Sequence, residues 1–85
     1  MQIDIKKDAR KYLESLSMPD KVRISIALQG LTQTPPKGDI MPYAGTDRLR
    51  LKVGSYRILY KIVGETVVVT HIKPRGQAYT KETRG

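Results

Sequence analysis

The residues best suited to chemistry are five cations on two adjacent runs. Arg48, Arg50 and Lys52 alternate with Leu49, Leu51 and Val53; past Gly54-Ser55, Arg57 and Lys61 alternate with Tyr56, Ile58, Tyr60 and Ile62. Period-two alternation is the mark of a half-buried strand, so the cations share one face and the apolar residues the other. Guanidinium matches phosphate through two parallel hydrogen bonds, which makes arginine-rich faces fit for phosphoryl ligands. Like charges directly opposite one another weaken a strand pair. A merely solvated face would gain by mixing in acids, so the reading favoured here is an anion site.

The elements that must position these cations can be read next. Gly54-Ser55 suits a two-residue type II′ turn, which needs φ > 0 at its first central position. With those two residues as the loop, Val53 faces Tyr56, Leu51 faces Ile58 and Leu49 faces Tyr60. On the other side Lys52 faces Arg57 and Arg48 faces Lys61.

Composition bounds what such a hairpin can belong to. The chain has 85 residues and no cysteine, which implies one domain (1–85) without disulfides or thiolate metal sites. No metal and no cofactor are expected. Neither an apolar leader nor a membrane-spanning run is present, so a soluble cytoplasmic protein away from membranes is the expectation. The formal net charge is +8; residues 1–43 contribute +2 and residues 44–85 contribute +6. A basic half of this kind points to nucleic acid or an acidic protein partner. With five Tyr and no Phe or Trp, an aromatic platform for single strands is poorly supported.

Along the chain, Gln2–Ile5 reads as a short edge strand. Lys6–Ser17 reads as a helix, with Ala9, Tyr12, Leu13 and Leu16 on one stripe. Ser17-Met-Pro-Asp20 resembles a capped helix start, with Ser17 as N-cap and Asp20 completing a capping box. Val22–Leu31 alternates at first like a strand, but Ile24, Ala27, Leu28 and Leu31 fit a helical stripe. A second helix ending near Gln33 before Pro35-Pro36 is therefore expected. Residues 34–47 are expected to be a loop crossing one end of the sheet. Gly64-Glu65 makes a second tight turn, and Thr66–Lys73 a third long strand with Val67, Val69 and His71 on the core face. Pro74 ends it, and residues 80–85 read as a frayed tail. The fold class is thus α+β: a short N-terminal strand, a helical hairpin and a three-stranded antiparallel meander, with the helices covering one face of the sheet.

Two segments carry a family resemblance. Arg48-Leu-Arg-Leu-Lys-Val-Gly-Ser-Tyr-Arg-Ile-Leu-Tyr60 resembles the central hairpin of the RelE/ParE superfamily of type II toxin–antitoxin toxins. Pro74-Arg-Gly-Gln-Ala-Tyr79 is similar to its closing Arg-x-x-x-Tyr segment, and Ala9–Leu16 to its first helix. The resemblance covers nearly the whole chain and implies a RelE-like fold. It also implies an endoribonuclease that enters the A site of the 70S ribosome, cuts messenger RNA without a metal and arrests translation. A cognate antitoxin would neutralise it, and DNA would be met only through the toxin–antitoxin complex. By position, the resemblance places the family's hairpin cations on Arg48 and Arg50, its turn Arg on Arg57, its later Arg on Arg75 and its Tyr on Tyr79. With Lys52 beside them on the same face, the expected catalytic residues are Arg50, Lys52, Arg57, Arg75 and Tyr79, and the expected RNA contacts are Arg48, Lys61, Lys73 and Lys81. Two rival readings stand beside it: a ParE-like inhibitor of DNA gyrase, and a non-enzymatic RNA- or ribosome-binding protein.

Cleavage by the RNA's own 2′-hydroxyl needs a base, cations on the phosphorane and a proton for the leaving 5′-oxygen. Arg50 and Arg57 would clamp the phosphate, Arg75 would be the donor nearest the leaving group, and Tyr79 would stack on a base. The family commonly has Lys at hairpin positions that are Arg48 and Arg50 here. Arginine stays protonated and makes a poor base, so Lys52, crowded by Arg57, is the expected substitute. The departure also leaves open a toxin that cuts slowly, leans on the ribosome, or does not cut. His71, Tyr56 and Tyr60 fall on the core face by parity and are read as packing residues, as is Tyr43 in the crossing loop. Lys6, Lys7, Arg10 and Lys11 are either a solvated helix face or contacts to ribosomal RNA.

Overall fold

The computed structural model describes residues 1–74. The elements in order are β1 (Gln2–Ile5), α1 (Lys7–Glu14), α2 (Met18–Gly30), β2 (Asp39–Pro42), β3 (Leu49–Val53), β4 (Tyr56–Val63) and β5 (Thr66–Pro74). They build the expected α+β layers, with two helices against one sheet. Among the described residues the sheet has five strands, in the order β1-β5-β4-β3-β2. It is mixed, because β1 runs parallel to β5 while every other pair is antiparallel.

Two strands enlarge the expected meander. β1 joins through Lys6 N–H to the Val69 carbonyl at 2.9 Å and Gln2 N–H to the Glu65 carbonyl at 3.0 Å. The crossing segment, expected to be a loop, contains β2, whose Ile40 lies opposite Leu51. Pro42 is tolerated there because an outer strand leaves one row of donors unused. Gly38, at φ +131°, brings the chain into β2; a Cβ at that position would lie 2.5 Å from Leu51 Cδ1.

The helices are trimmed relative to their apolar stripes. α1 stops at Glu14, where Ser15 Oγ donates to the Tyr12 carbonyl at 2.6 Å. Such a local bond competes with continued helix. α2 ends at Gly30, but i→i−3 bonds from Leu31, Thr32 and Gln33 carry the turn onward as a tighter coil. Ser17 is the N-cap in extended conformation, yet its side chain makes no cap hydrogen bond. The capping box does not form: the Asp20 carboxylate instead accepts the Tyr56 hydroxyl at 2.8 Å.

α1 packs over β5 and α2 reaches β3. Ala9, Ile24, Leu28 and Leu31 meet Leu51, Val53, Ile58, Tyr60, Val67, Val69 and Ile72 in one core. On its outer side α2 leaves Met18, Val22 and Ile26 exposed. Among the described residues no helix is long and apolar enough to cross a membrane.

Candidate nucleic-acid interface

The β3–β4 hairpin has the predicted register, with Val53 opposite Tyr56, Lys52 opposite Arg57, Leu51 opposite Ile58 and Leu49 opposite Tyr60. Gly54 takes φ +57°, and among the described residues no non-glycine residue, Ser55 included, has positive φ, as a type II′ turn requires. Parity therefore sends Arg50, Lys52, Arg57, Leu59 and Lys61 to the face away from the helices.

Pairing extends this face into rows across the sheet. Asp39, Lys52, Arg57 and Lys73 form one row over β2, β3, β4 and β5. Strands are spaced at about 4.8 Å, so its three cations lie within roughly 10 Å along the row. The next row is Met41, Arg50, Leu59 and His71. A third joins Lys61, Val68 and Asp4, where Asp4 also pairs with Lys6 at 2.9 Å. The structure thus brings Arg50, Lys52, Arg57 and Lys73 together, sets Lys61 one row away, and leaves Arg48 just before β3, its N–H donating to Thr46 Oγ1 at 3.1 Å. Arg75, Tyr79 and Lys81, and the tail at 80–85, lie outside the described residues.

The face is not uniformly solvated. Lys52 is exposed and Arg48, Arg50, Lys61 and Lys73 are half-buried, but Arg57 retains only 3% exposure. A buried guanidinium must be hydrogen-bonded to be tolerated, and Arg57 Nη1 donates to the Tyr56 carbonyl at 3.1 Å. Leu59 and Val68 on the same face are also buried. Arg50 Nη2 reaches Met41 Sδ at 3.0 Å across the β2–β3 pair.

The residue before Arg57 is anchored from two helices. Tyr56 donates its hydroxyl to Asp20 of α2 and meets Tyr12 of α1 edge-on, with centroids 6.4 Å apart. The hydrogen bond to Asp20, aided by desolvation, holds the Tyr56 phenol above its ordinary pKa of 10.0. Desolvation, then the nearby Asp20 charge, raises that of Tyr12, and burial alone raises that of Tyr60. All three favour the neutral phenol, in keeping with packing rather than acid–base work.

His71 departs from the sequence expectation. The β4–β5 register slips between Leu59 and Tyr60, so that Tyr60 faces Val69 while Leu59 faces His71. Thr70 is the extra residue of this β-bulge. Ile72, not His71, therefore lies opposite Ile58 in the core, and His71 joins Arg50 and Leu59 on the outer face. The sequence carried a signal for this. Thr70-His71 interrupts an otherwise apolar strand, and unbroken alternation would have buried the imidazole while exposing Ile72. His71 Nδ1 lies 3.1 Å from Thr70 Oγ1, and that hydroxyl donates to the Leu59 carbonyl at 3.2 Å.

With this geometry in place, likeness to known proteins is informative. Residues 3–79 match the family model described as ParE toxin of type II toxin–antitoxin system, parDE. The chain belongs to this toxin family. The match spans nearly the whole sequence, and the toxin falls within the wider RelE/ParE superfamily. Among solved structures, it is similar to the archaeal RelE–RelB complex from Pyrococcus horikoshii OT3. That match has 27% identity and a TM-score of 0.76 over 89% of this chain and 96% of that one. The RelB–RelE antitoxin–toxin complex of Methanococcus jannaschii matches at 23% identity and TM-score 0.74, over 92% and 96% of the two chains. The isolated RelE toxin of E. coli matches at 17% identity and TM-score 0.72, over 98% and 95%. The two more distant likenesses show the fold alone. No curated protein matches the sequence.

Proposed function

We propose that this toxin is a ribosome-dependent endoribonuclease of messenger RNA, restrained by a cognate antitoxin that covers its cationic face. The observation that carries the reading is the row Lys52–Arg57–Lys73, three cations side by side on three strands, with Arg50 in the next row. Adjacent cations at this spacing suit the charge of a phosphorane. Nothing in the stability of a sheet calls for them, since like charges opposite one another cost free energy. The likeness to RelE in its complexes with RelB supports the antitoxin as partner.

In this reading Lys52, the exposed cation of the row, set between Asp39 and Arg57, meets the RNA first. Arg50 and Arg57 clamp the scissile phosphate, and Arg48, Lys61, Lys73 and Lys81 hold the flanking backbone. Arg57 has to exchange its present surroundings for the phosphate, so substrate binding and uncovering of its guanidinium are coupled. Arg75 and Tyr79 retain the roles that the family resemblance suggests, as proton donor and base-stacking group. The chemistry needs no metal, because the RNA supplies its own nucleophile.

The test is induction of the toxin in cells. The expected result is translation arrest, with messages cut in phase with codons. Continued growth, or arrest with DNA breaks and intact messages, overturns the reading. The latter outcome belongs to a second reading, inhibition of DNA gyrase. It is favoured by the ParE description of the family match, and it predicts an SOS response and indifference to Lys52→Ala.

A further inference from the structure

We propose that Asp20 and Tyr56 are positioning residues for Arg57: a hydrogen bond on the inner face of the sheet fixes where the guanidinium stands on the outer face. The inference deepens the ribonuclease reading above and rests on it for the role of Arg57 in cleavage. Its first support is connectivity. Tyr56 and Arg57 are consecutive and point to opposite faces of β4, so one peptide unit joins the helical layer to the cationic row. That unit is planar, and its carbonyl is the one that accepts Arg57 Nη1 at 3.1 Å. Whatever orients residue 56 therefore orients the root of the Arg57 side chain and an acceptor for its tip.

The second support is how residue 56 is held. It is the first residue of β4, directly after the Gly54-Ser55 turn, and strand ends are where a ladder restrains the backbone least. The helical layer adds what the ladder lacks. The Tyr56 hydroxyl donates to Asp20 Oδ2 at 2.8 Å, and the Tyr12 ring meets the phenol edge-on at 6.4 Å. One turn further along α2, Arg23 reaches the same hairpin tip: a Cβ on Gly54 would lie 3.1 Å from Arg23 Nη1. α2 thus grips the tip at two points, Asp20 and Arg23, on successive turns.

The third support is what the bond displaces. Asp20 stands where a capping box would return its carboxylate to the Ser17 N–H, and the Ser17 side chain makes no cap bond either. The carboxylate serves the hairpin instead. The register of the hairpin does not call for it, since the turn and the apolar alternation already set the pairing. A phenol bonded to a carboxylate is of the stronger, charge-assisted kind. Precision is what a phosphate clamp gains from it. When the guanidinium exchanges its buried surroundings for the phosphate, the anchored peptide stays in place and the side chain turns about a fixed root.

Full-length wild type, Tyr56→Phe, Asp20→Ala and Asp20→Asn are compared in single-turnover cleavage on 70S ribosomes programmed with a defined message, at a temperature where urea titration shows each variant folded. Tyr56→Phe and Asp20→Ala are expected to lower the rate at saturating toxin by about 10–100-fold, the scale of a misplaced reacting group, with the concentration for half-saturation unchanged. Asp20→Asn keeps an oxygen that accepts the phenol proton and should regain most of the rate. In an Arg57→Ala background Tyr56→Phe should slow cleavage no further, because residues that act through one another are not additive. Val67→Ala, a change at a fully buried core position, controls for lost stability and should keep the wild-type rate. In the free protein, ¹⁵N NMR should show the Arg57 guanidinium protons exchanging with water faster in Tyr56→Phe and Asp20→Ala than in wild type.

The inference is overturned, and the ribonuclease reading left standing, by any of four results: wild-type rates in Tyr56→Phe and Asp20→Ala, equal slowing by Tyr56→Phe with and without Arg57, equal slowing by Val67→Ala, or unchanged guanidinium exchange. If wild type leaves the message intact, the ribonuclease reading falls, and the exchange measurement by itself decides whether Asp20 and Tyr56 position Arg57.

Discussion

The two faces of the β3–β4–β5 sheet are written by the same strands in opposite parity, and they are built to different ends. On the inner face Leu51, Val53, Ile58, Tyr60, Val67, Val69 and Ile72 are buried beneath two helices. Each gains from its neighbours, because apolar burial is cooperative in space and indifferent to detail beyond volume. On the outer face Lys52 sits beside Arg57, and Arg57 beside Lys73. Each of those contacts costs the folded state something. The difference teaches that the inner face is explained by folding and the outer face is not, which is why the outer face is where function is sought.

That contrast can be broken or sharpened by substitution, and the largest effect is expected inside. Ile58→Ala, at a fully buried position, should cost about 2–5 kcal/mol in urea unfolding. For a domain of this size that is a large share of a total near 5–15 kcal/mol. A cost below about 0.5 kcal/mol, the range of ordinary surface substitutions, would mean that the core is not where the register puts it.

Gly38→Ala comes next. The new methyl would meet Leu51 Cδ1 and force a side chain into φ +131°, so a loss of about 1–3 kcal/mol is expected. A neutral result in the same unfolding assay would show that β2 is not held against β3 as described.

Tyr56→Phe removes the hydroxyl that joins the hairpin to Asp20 and should lower the urea midpoint by less than either core substitution. The sign with pH follows from the raised phenol pKa. Its contribution is fully present below the unfolded value of 10.0 and is lost as pH rises through the higher folded value. Wild type should therefore lose stability above pH 10 more steeply than Tyr56→Phe. Parallel alkaline unfolding curves would contradict the Tyr56–Asp20 bond.

The smallest stability effect belongs to the outer face. Lys52→Ala should leave unfolding within about ±0.5 kcal/mol. Its signature is instead in RNA binding, where loss of one phosphate contact lowers the slope of log affinity against log salt by about 0.7 for a single strand. An unchanged slope would remove Lys52 from the interface.

Much of this molecule was legible before any coordinates. The Gly54-Ser55 turn fixed one register, and strict alternation on each side assigned Leu51, Ile58 and Tyr60 to the core and Arg50, Lys52 and Arg57 to the opposite face. Local sequence suffices there, because a two-residue turn leaves no freedom in pairing and the side-chain period is two. The helical stripes through Ala9 and through Ile24, Leu28 and Leu31 were read the same way, as was the family resemblance carried by the hairpin.

What the tertiary structure decided are relations between distant residues. Asp20 looks like a helix cap in sequence, but Tyr56, far along the chain, takes its carboxylate. Residues 39–42 look like loop, since a four-residue strand has almost no periodicity, and they become strand because β3 offers an open edge. Arg57 looks like a solvated cation, yet three-dimensional packing buries it. His71 looks like a core residue because parity was carried unbroken along β5. A single extra residue, Thr70, moves it to the cationic face. A bulge is a compromise between two strands, fixed by which side chains each must bury, and one strand read alone does not contain it.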